Sequence, residues 1–171
     1  MYKYKYDNPS RIIYLPLEMY PERYTMQMSS PGGWFEKFWL ANEIPFITVG
    51  SSFRTTATPI GVGEVLDARR RSRHCFEQVN NLIDIIGSSS YDSESDVVYV
   101  DDFWTPGLEA LAYYCHQAGK KPPRVFSFLW AQSIDVHDFT YKMLPWIRSF
   151  EEGYSALYRK VFVACPSIKT W

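Results

Sequence analysis

Asp96-Val-Val-Tyr-Val-Asp-Asp-Phe-Trp-Thr-Pro-Gly107 is the stretch that decides the fold. Residues 96–100 are short, apolar and rich in valine, the composition of a strand buried on both faces. The strand runs directly into two carboxylates and two aromatic rings. Thr105 then offers a helix N-cap, and Pro106 suits the first helical position, where its missing N–H has no intrahelical partner to lose. A helix is predicted onward to about Gln117, with Gly119 as the residue that ends it. Lys120-Lys-Pro-Pro123 turns the chain, and Arg124-Val-Phe-Ser-Phe-Leu-Trp130 reads as the next strand. Strand, helix, strand is the crossover unit of a parallel sheet.

The alternation continues on both sides. Upstream, Arg11-Ile-Ile-Tyr-Leu-Pro-Leu17 is a continuous apolar run that reads as a buried strand ended by Pro16. A helix is expected over 33–42, with Trp34, Phe35, Phe38 and Trp39 forming one face. Pro45-Phe-Ile-Thr-Val49 is a second short strand. Residues 50–63 are rich in Ser, Thr and Gly and read as a long loop. The clearest helix spans 64–86. Val65, Ala68, Ser72, Cys75, Phe76, Val79, Leu82, Ile83 and Ile86 form its apolar stripe, and Gly87-Ser-Ser-Ser90 stops it. Downstream, a helix is expected over 141–157, restarted at Pro145, followed by the strand Val161-Phe-Val-Ala-Cys165. The expectation is a single domain over 1–171: an α/β, Rossmann-like, open and mainly parallel sheet of about five strands in the order 2-1-3-4-5, with helices on both faces.

Composition narrows the function. The chain has 171 residues and a net charge of −1, with 46% apolar and 22% charged side chains. A protein holding duplex DNA through its phosphates alone is usually basic, so a dedicated clamp is disfavoured. Arg69-Arg-Arg-Ser-Arg-His74 lies within the long helix, where Arg69, Arg70 and Arg73 fall on the polar face and Arg71 lies nearer the apolar stripe. Cys75, Cys115 and Cys165 have no metal-binding or disulfide spacing and read as buried thiols, which fits a reducing, cytoplasmic setting. The first residues lack the apolar core of a signal peptide, and no run is long enough to span a membrane. Aromatic residues are abundant, at 6 Trp, 13 Tyr and 11 Phe. No GxGxxG, GxxxxGK[ST], GxSxG, HExxH or EF-hand pattern is present, so dinucleotide, nucleoside-triphosphate and serine-hydrolase chemistry are poor readings.

In an open parallel sheet the ligand sits outside the carboxyl ends of the strands. That rule selects three loops, 18–25, 101–106 and 130–138. The first carries Glu18, Glu22, Arg23 and Tyr24, the second Asp101, Asp102, Phe103 and Trp104, and the third Trp130, Gln132, Ser133, Asp135, His137 and Asp138. Paired carboxylates suit hydroxyl recognition, metal binding or proton transfer. Each cluster also has a structural alternative. Asp101 or Asp102 can cap a helix or pair with an arginine, Asp138 can cap the following helix, Glu18 and Arg23 can pair with each other, and His137 can be a surface loop residue. No metal site is expected.

The set Glu18…Glu22-Arg-Tyr-Thr25, Val65-Leu-Asp-Ala-Arg69, Asp101-Asp-Phe-Trp-Thr-Pro-Gly107, Ala131-Gln-Ser-Ile-Asp-Val-His-Asp-Phe139, Trp146…Phe150-Glu151 and Val161-Phe-Val-Ala-Cys165 resembles the N-terminal, acceptor-side half of GT-B glycosyltransferases, in particular those of phage genomes. Trp130 departs from the pattern, since relatives often carry histidine there. The resemblance implies that the chain binds no cofactor itself, and that the nucleotide-sugar donor, a UDP-sugar, sits on a second domain or chain. It implies a hydroxymethylated base in phage DNA as acceptor, and the host cytoplasm as location. Asp102 or Asp135 would deprotonate or orient the acceptor hydroxyl, while Glu18 and Arg23 line the cleft and Phe103, Trp104 and Trp130 stack on a flipped base. Two other readings stay open: a non-catalytic module that binds a nucleotide, sugar or protein at the same edge, and a nucleoside-processing enzyme that turns over alone.

Overall fold

The computed structural model describes residues 9–17, 33–51, 68–130, 136–137, 139–143 and 145–163. The chain alternates β1 (Arg11–Leu15), α1 (Trp34–Ala41), β2 (Phe46–Thr48), α2 (Ala68–Gly87), β3 (Asp96–Val100), α3 (Glu109–Gln117), β4 (Arg124–Leu129), a 3-10 turn (Phe139–Met143), α4 (Trp146–Ser155) and β5 (Lys160–Val163). The five strands form one all-parallel sheet in the order β2-β1-β3-β4-β5. This is the Rossmann-like α/β arrangement expected from the alternation.

The two central strands explain why. β1 and β3 pair from Arg11 opposite Asp96 to Leu15 opposite Val100. Successive side chains point to opposite faces, and both faces are buried. Ile13, Leu15, Val98, Val100 and, on β4, Val125 form one core with Val79, Leu82 and Ile86 of α2, Leu111 and Cys115 of α3, and Tyr154 of α4. Ile12, Tyr14 and Tyr99 face the other way and pack on Trp39 of α1. A strand apolar on both faces requires helices on both, and helical crossovers between parallel strands supply them.

Four local expectations are corrected or refined. Only half of the α1 aromatics face inward: Trp39 is buried and Phe35 packs beside it, whereas Trp34 and Phe38 are each 60% exposed. At 100° per residue, the pairs 34/38 and 35/39 form separate stripes, and contact with one sheet buries only one of them. Phe76 of α2 is likewise exposed, while His74 and Gln78 are buried in its place. Pro106 does not begin α3. Pro106–Leu108 form a turn with Gly107 at φ 88°, and the Thr105 hydroxyl donates to the Asp102 carbonyl at 2.7 Å instead of capping. The capping task passes to Tyr154 of α4, whose hydroxyl accepts the Leu108 N–H at 3.0 Å. At the far end, Gly119 takes φ 61° as expected of a terminal glycine. Pro145 does interrupt the last helix, separating the 3-10 turn from α4.

The Tyr154 hydroxyl gives its own proton to the Thr105 carbonyl or to the Glu109 carboxylate 3.0 Å away. Tyr154→Phe keeps the ring but removes both the acceptor of the Leu108 N–H, which keeps only its longer contact with the Thr105 carbonyl at 3.3 Å, and the donor to that carbonyl. The urea midpoint should fall by the equivalent of about 1–3 kcal/mol with an unchanged slope.

Candidate ligand-binding edge of the sheet

β1 leads to its neighbour β2 through α1 on one face, and β3 leads to β4 through α3 on the other. The chain direction therefore reverses between β1 and β3, and the crevice outside their carboxyl ends is the favoured ligand position. Leu17 follows β1 there, and Asp101 and Asp102 follow β3.

Asp101 is fully buried and serves through its backbone. Its N–H donates to the Leu15 carbonyl at 3.0 Å, and its carbonyl accepts the Trp130 indole N–H at 2.7 Å. Asp102 pairs with Arg71 of α2 at 3.1 Å, with 13% and 10% of the two side chains exposed. Its other oxygen accepts the Trp104 N–H at 3.2 Å. Arg71 also donates to the Leu17 carbonyl and, at 3.5 Å, to the Trp104 carbonyl. One guanidinium thus joins the end of β1 to the loop after β3. The sequence position of Arg71, next to the apolar stripe, pointed to this inward reach, while Arg69 and Arg73 lie on the exposed side.

The aromatic side chains of the edge are not equivalent. Phe103 is a correction: it is buried, packed against Tyr158 at 5.1 Å and Tyr154 at 6.0 Å between ring centroids. Its ring belongs to the core and is not displayed for stacking on a base. Trp104 is half-buried and lies flat on Phe150, at 5.1 Å and 12°. Trp130 lies on Phe128 at 4.1 Å and 28°. Each of these indoles has one face committed to a neighbouring ring. His137 is an exposed turn residue. Glu18, Arg23, Tyr24, Gln132, Ser133, Asp135 and Asp138 lie outside the described residues.

Sequence reasoning missed a polar ladder on α2. Arg71, His74, Gln78 and Asn81 follow at intervals of three and four, so they form one stripe beside the apolar one. Gln78 donates to the carbonyls of Pro16 at 2.9 Å and Val49 at 3.0 Å, and Asn81 donates to Gly50 at 3.0 Å. His74 stands between Ser51, whose hydroxyl is 2.8 Å from Nδ1, and the Pro16 carbonyl, 3.4 Å from Nε2. The carbonyl can only accept, so the proton is assigned to Nε2 and Nδ1 accepts from Ser51. Burial lowers the His74 pKa to about 4, with Arg71 acting in the same direction and the Pro16 carbonyl opposing. The ring is neutral at pH 7. The ladder holds the carboxyl ends of β1 and β2 in fixed positions at the mouth of the crevice. The available signal was the phase of His74 and Gln78, one residue ahead of Cys75 and Val79.

Among the described residues no three His, Cys, Asp or Glu side chains are grouped to hold a metal ion, and no helix is long and apolar enough to cross a membrane. Cys75 and Cys115 are buried and not joined in a disulfide. Comparison of the chain with protein-family models, curated proteins and solved structures gives no match. Fold and edge together define a Rossmann-like α/β domain whose switch point carries the Arg71–Asp102 pair.

Arg71→Met removes the partner of Asp102 and a donor to Leu17. Loss of about 3 kcal/mol in stability is expected from chemical denaturation, because a largely buried carboxylate is left behind. His74 gives a pH signature. The unfolded chain takes up its proton near pH 6.5 and the folded chain near 4, so stability is complete above 6.5 and falls as pH drops toward 4. The difference reaches about 3 kcal/mol. Denaturation midpoints of wild type and His74→Asn, measured from pH 7 to 4, should converge as the pH falls.

Proposed function

We propose that this domain is the acceptor-side half of a GT-B-type glycosyltransferase, with a hydroxymethylated base in phage DNA as acceptor and a UDP-sugar as donor on a second domain or chain. The observation that carries the reading is the Arg71–Asp102 pair, a carboxylate held at the switch point by an arginine and a main-chain N–H. The absence of a glycine fingerprint after β1 supports an edge that receives an acceptor rather than a pyrophosphate. The sequence resemblance supplies the sugar-transfer chemistry.

In the reaction, the acceptor hydroxyl oxygen attacks the anomeric carbon, the bond from that carbon to the diphosphate breaks, and the nucleoside diphosphate leaves with the bonding electrons. The hydroxyl proton passes to a carboxylate. Asp102 is partly neutralised by Arg71, which suits it to orienting the hydroxyl through a hydrogen bond. Asp135 is assigned the proton. Trp104 and Trp130 are assigned contact with the extruded base, and Glu18, Arg23, Tyr24, Gln132, Ser133, His137 and Asp138 line the rest of the cleft.

One observation favours a second reading. Asp102 is already engaged by Arg71 and Trp104, and Phe103 is committed to the core, so the edge is consistent with a non-catalytic module that binds a sugar, nucleotide or protein. Labelled UDP-sugars, hydroxymethylated DNA and a donor-binding domain separate the two. The transferase reading predicts labelled DNA, with Asp102→Asn and Asp135→Asn each lowering transfer by about 10². Full activity in both variants removes the assignment of these residues, and binding with no product under any condition favours the module.

A further inference from the structure

The aromatic side chains of α4 form a stripe that climbs from the core to the carboxyl edge. α4 connects β4 to β5, so its first residues lie toward the carboxyl ends of the strands. Trp146, Phe150 and Tyr154 are spaced by four residues and share one face. Tyr154, the lowest, is buried and tied by its hydroxyl to Thr105 and Leu108. Phe150, one turn higher, is half-buried and lies on the Tyr154 ring at 4.4 Å and 24°. Trp104 in turn lies on Phe150, at 5.1 Å and 12°. Two further rings stand roughly perpendicular to this series: Trp146 to Phe150 at 5.7 Å and 81°, and Phe103 to Trp104 at 5.8 Å and 78°.

Near-parallel rings thus lead from a hydrogen-bonded anchor in the core to an indole at the edge. That indole belongs to the residue whose main-chain N–H donates to Asp102. The contacts of Asp102 fix the backbone at Trp104, while Phe150 fixes the plane of the side chain. Each ring limits the rotation of the next. A side chain held in one plane by its neighbours loses little entropy when a flat ring packs against it, so affinity is not spent on ordering it.

We propose that Phe150 is a positioning residue: by setting the plane of the Trp104 indole, it makes this edge select a nucleobase over the bare sugar-phosphate chain. The inference rests on the acceptor-site reading of the edge. It adds which part of the acceptor is recognised and which residue, from a different element, sets the recognition. Stacking of one base on an aromatic side chain changes affinity on the order of ten- to a hundredfold, enough to carry that selectivity.

The test uses the full chain and two fluorescent probes: a short chain of abasic deoxyribose phosphates carrying a single hydroxymethylcytosine, and the same chain without the base. Anisotropy, with no sugar donor present, should show the base-bearing probe bound at least about tenfold more tightly. Phe150→Leu should reduce that preference to about threefold or less and leave affinity for the bare chain as in the wild type. Phe150→Tyr keeps the ring and should keep the preference. Because Phe150 acts through Trp104, Phe150→Leu should add no further loss to Trp104→Leu. Weaker binding of both probes by Phe150→Leu marks a structural role, and additive losses mark independent contacts; either result overturns the proposal. So does a wild type that does not distinguish the probes, or a Phe150→Leu variant that still does. Failure of the transferase reading looks different. The predicted base preference and variant effects, with no labelled DNA when a UDP-sugar and a donor-binding domain are added, uphold the stack and remove sugar transfer. Labelled DNA without any base preference does the reverse.

Discussion

A parallel strand that ends inside a layered domain leaves its last carbonyls facing inward, where leaving one without a hydrogen bond costs on the order of 1–3 kcal/mol. In this protein, one stripe of α2 meets that constraint. Arg71 takes Leu17, Gln78 takes Pro16 and Val49, Asn81 takes Gly50, and His74 fills the space between Pro16 and Ser51. The neighbouring stripe, Cys75, Val79, Leu82 and Ile86, seals the core beneath. A single helix therefore fixes the height of the crevice mouth and the packing of the sheet at once. The carboxyl edge inherits its described geometry from a structural requirement, which explains why Arg71 and the buried His74 belong to a helix.

The aromatic residues follow a related logic. Phe103, Tyr154 and Tyr158 pack together beneath the loop after β3, and the two hydroxyls are used as main-chain partners: Tyr154 for Leu108 and Thr105, Tyr158 for the Phe103 carbonyl at 2.8 Å. Burial raises both phenol pKa values well above the ordinary range, with the Glu109 carboxylate adding to the effect at Tyr154. Both therefore keep their protons and remain donors throughout the pH range in which the fold exists. A tyrosine can fill a core with its ring and close a loop with its hydroxyl, so the high aromatic content serves as construction material before any ligand is considered.

At the opposite, amino-terminal edge, Arg11 pairs with Asp96 at 2.5 Å and Lys120 donates to the last carbonyls of α2. Tyr91 is half-buried nearby, and burial, aided by Asp96, pushes its hydroxyl up to about 12. These contacts fasten chain ends and helix ends. Polar residues accumulate at both edges of the sheet, and the distinction between them comes from topology, because only the carboxyl edge has the reversal of direction that opens a crevice.

The sequence by itself determined the α/β class and the five strands of a mainly parallel sheet, because continuous apolar runs, helical stripes and Gly or Pro stops are local signals written at short range; it favoured the order 2-1-3-4-5 without fixing it, and the tertiary structure decided that order. It also located Asp101 and Asp102 at the carboxyl edge of the sheet, since strand ends are visible in the pattern. Tertiary structure alone decided which of two adjacent rings turns inward: Phe103 to the core and Trp104 to the rim, Trp39 to the sheet and Phe38 to the surface. It alone decided that Tyr154, 46 residues away from Leu108, begins α3, and that Asp102 meets an arginine 31 residues before it. These choices depend on which surface a neighbouring element covers and which buried polar group lacks a partner, quantities that exist only once the layers have come together.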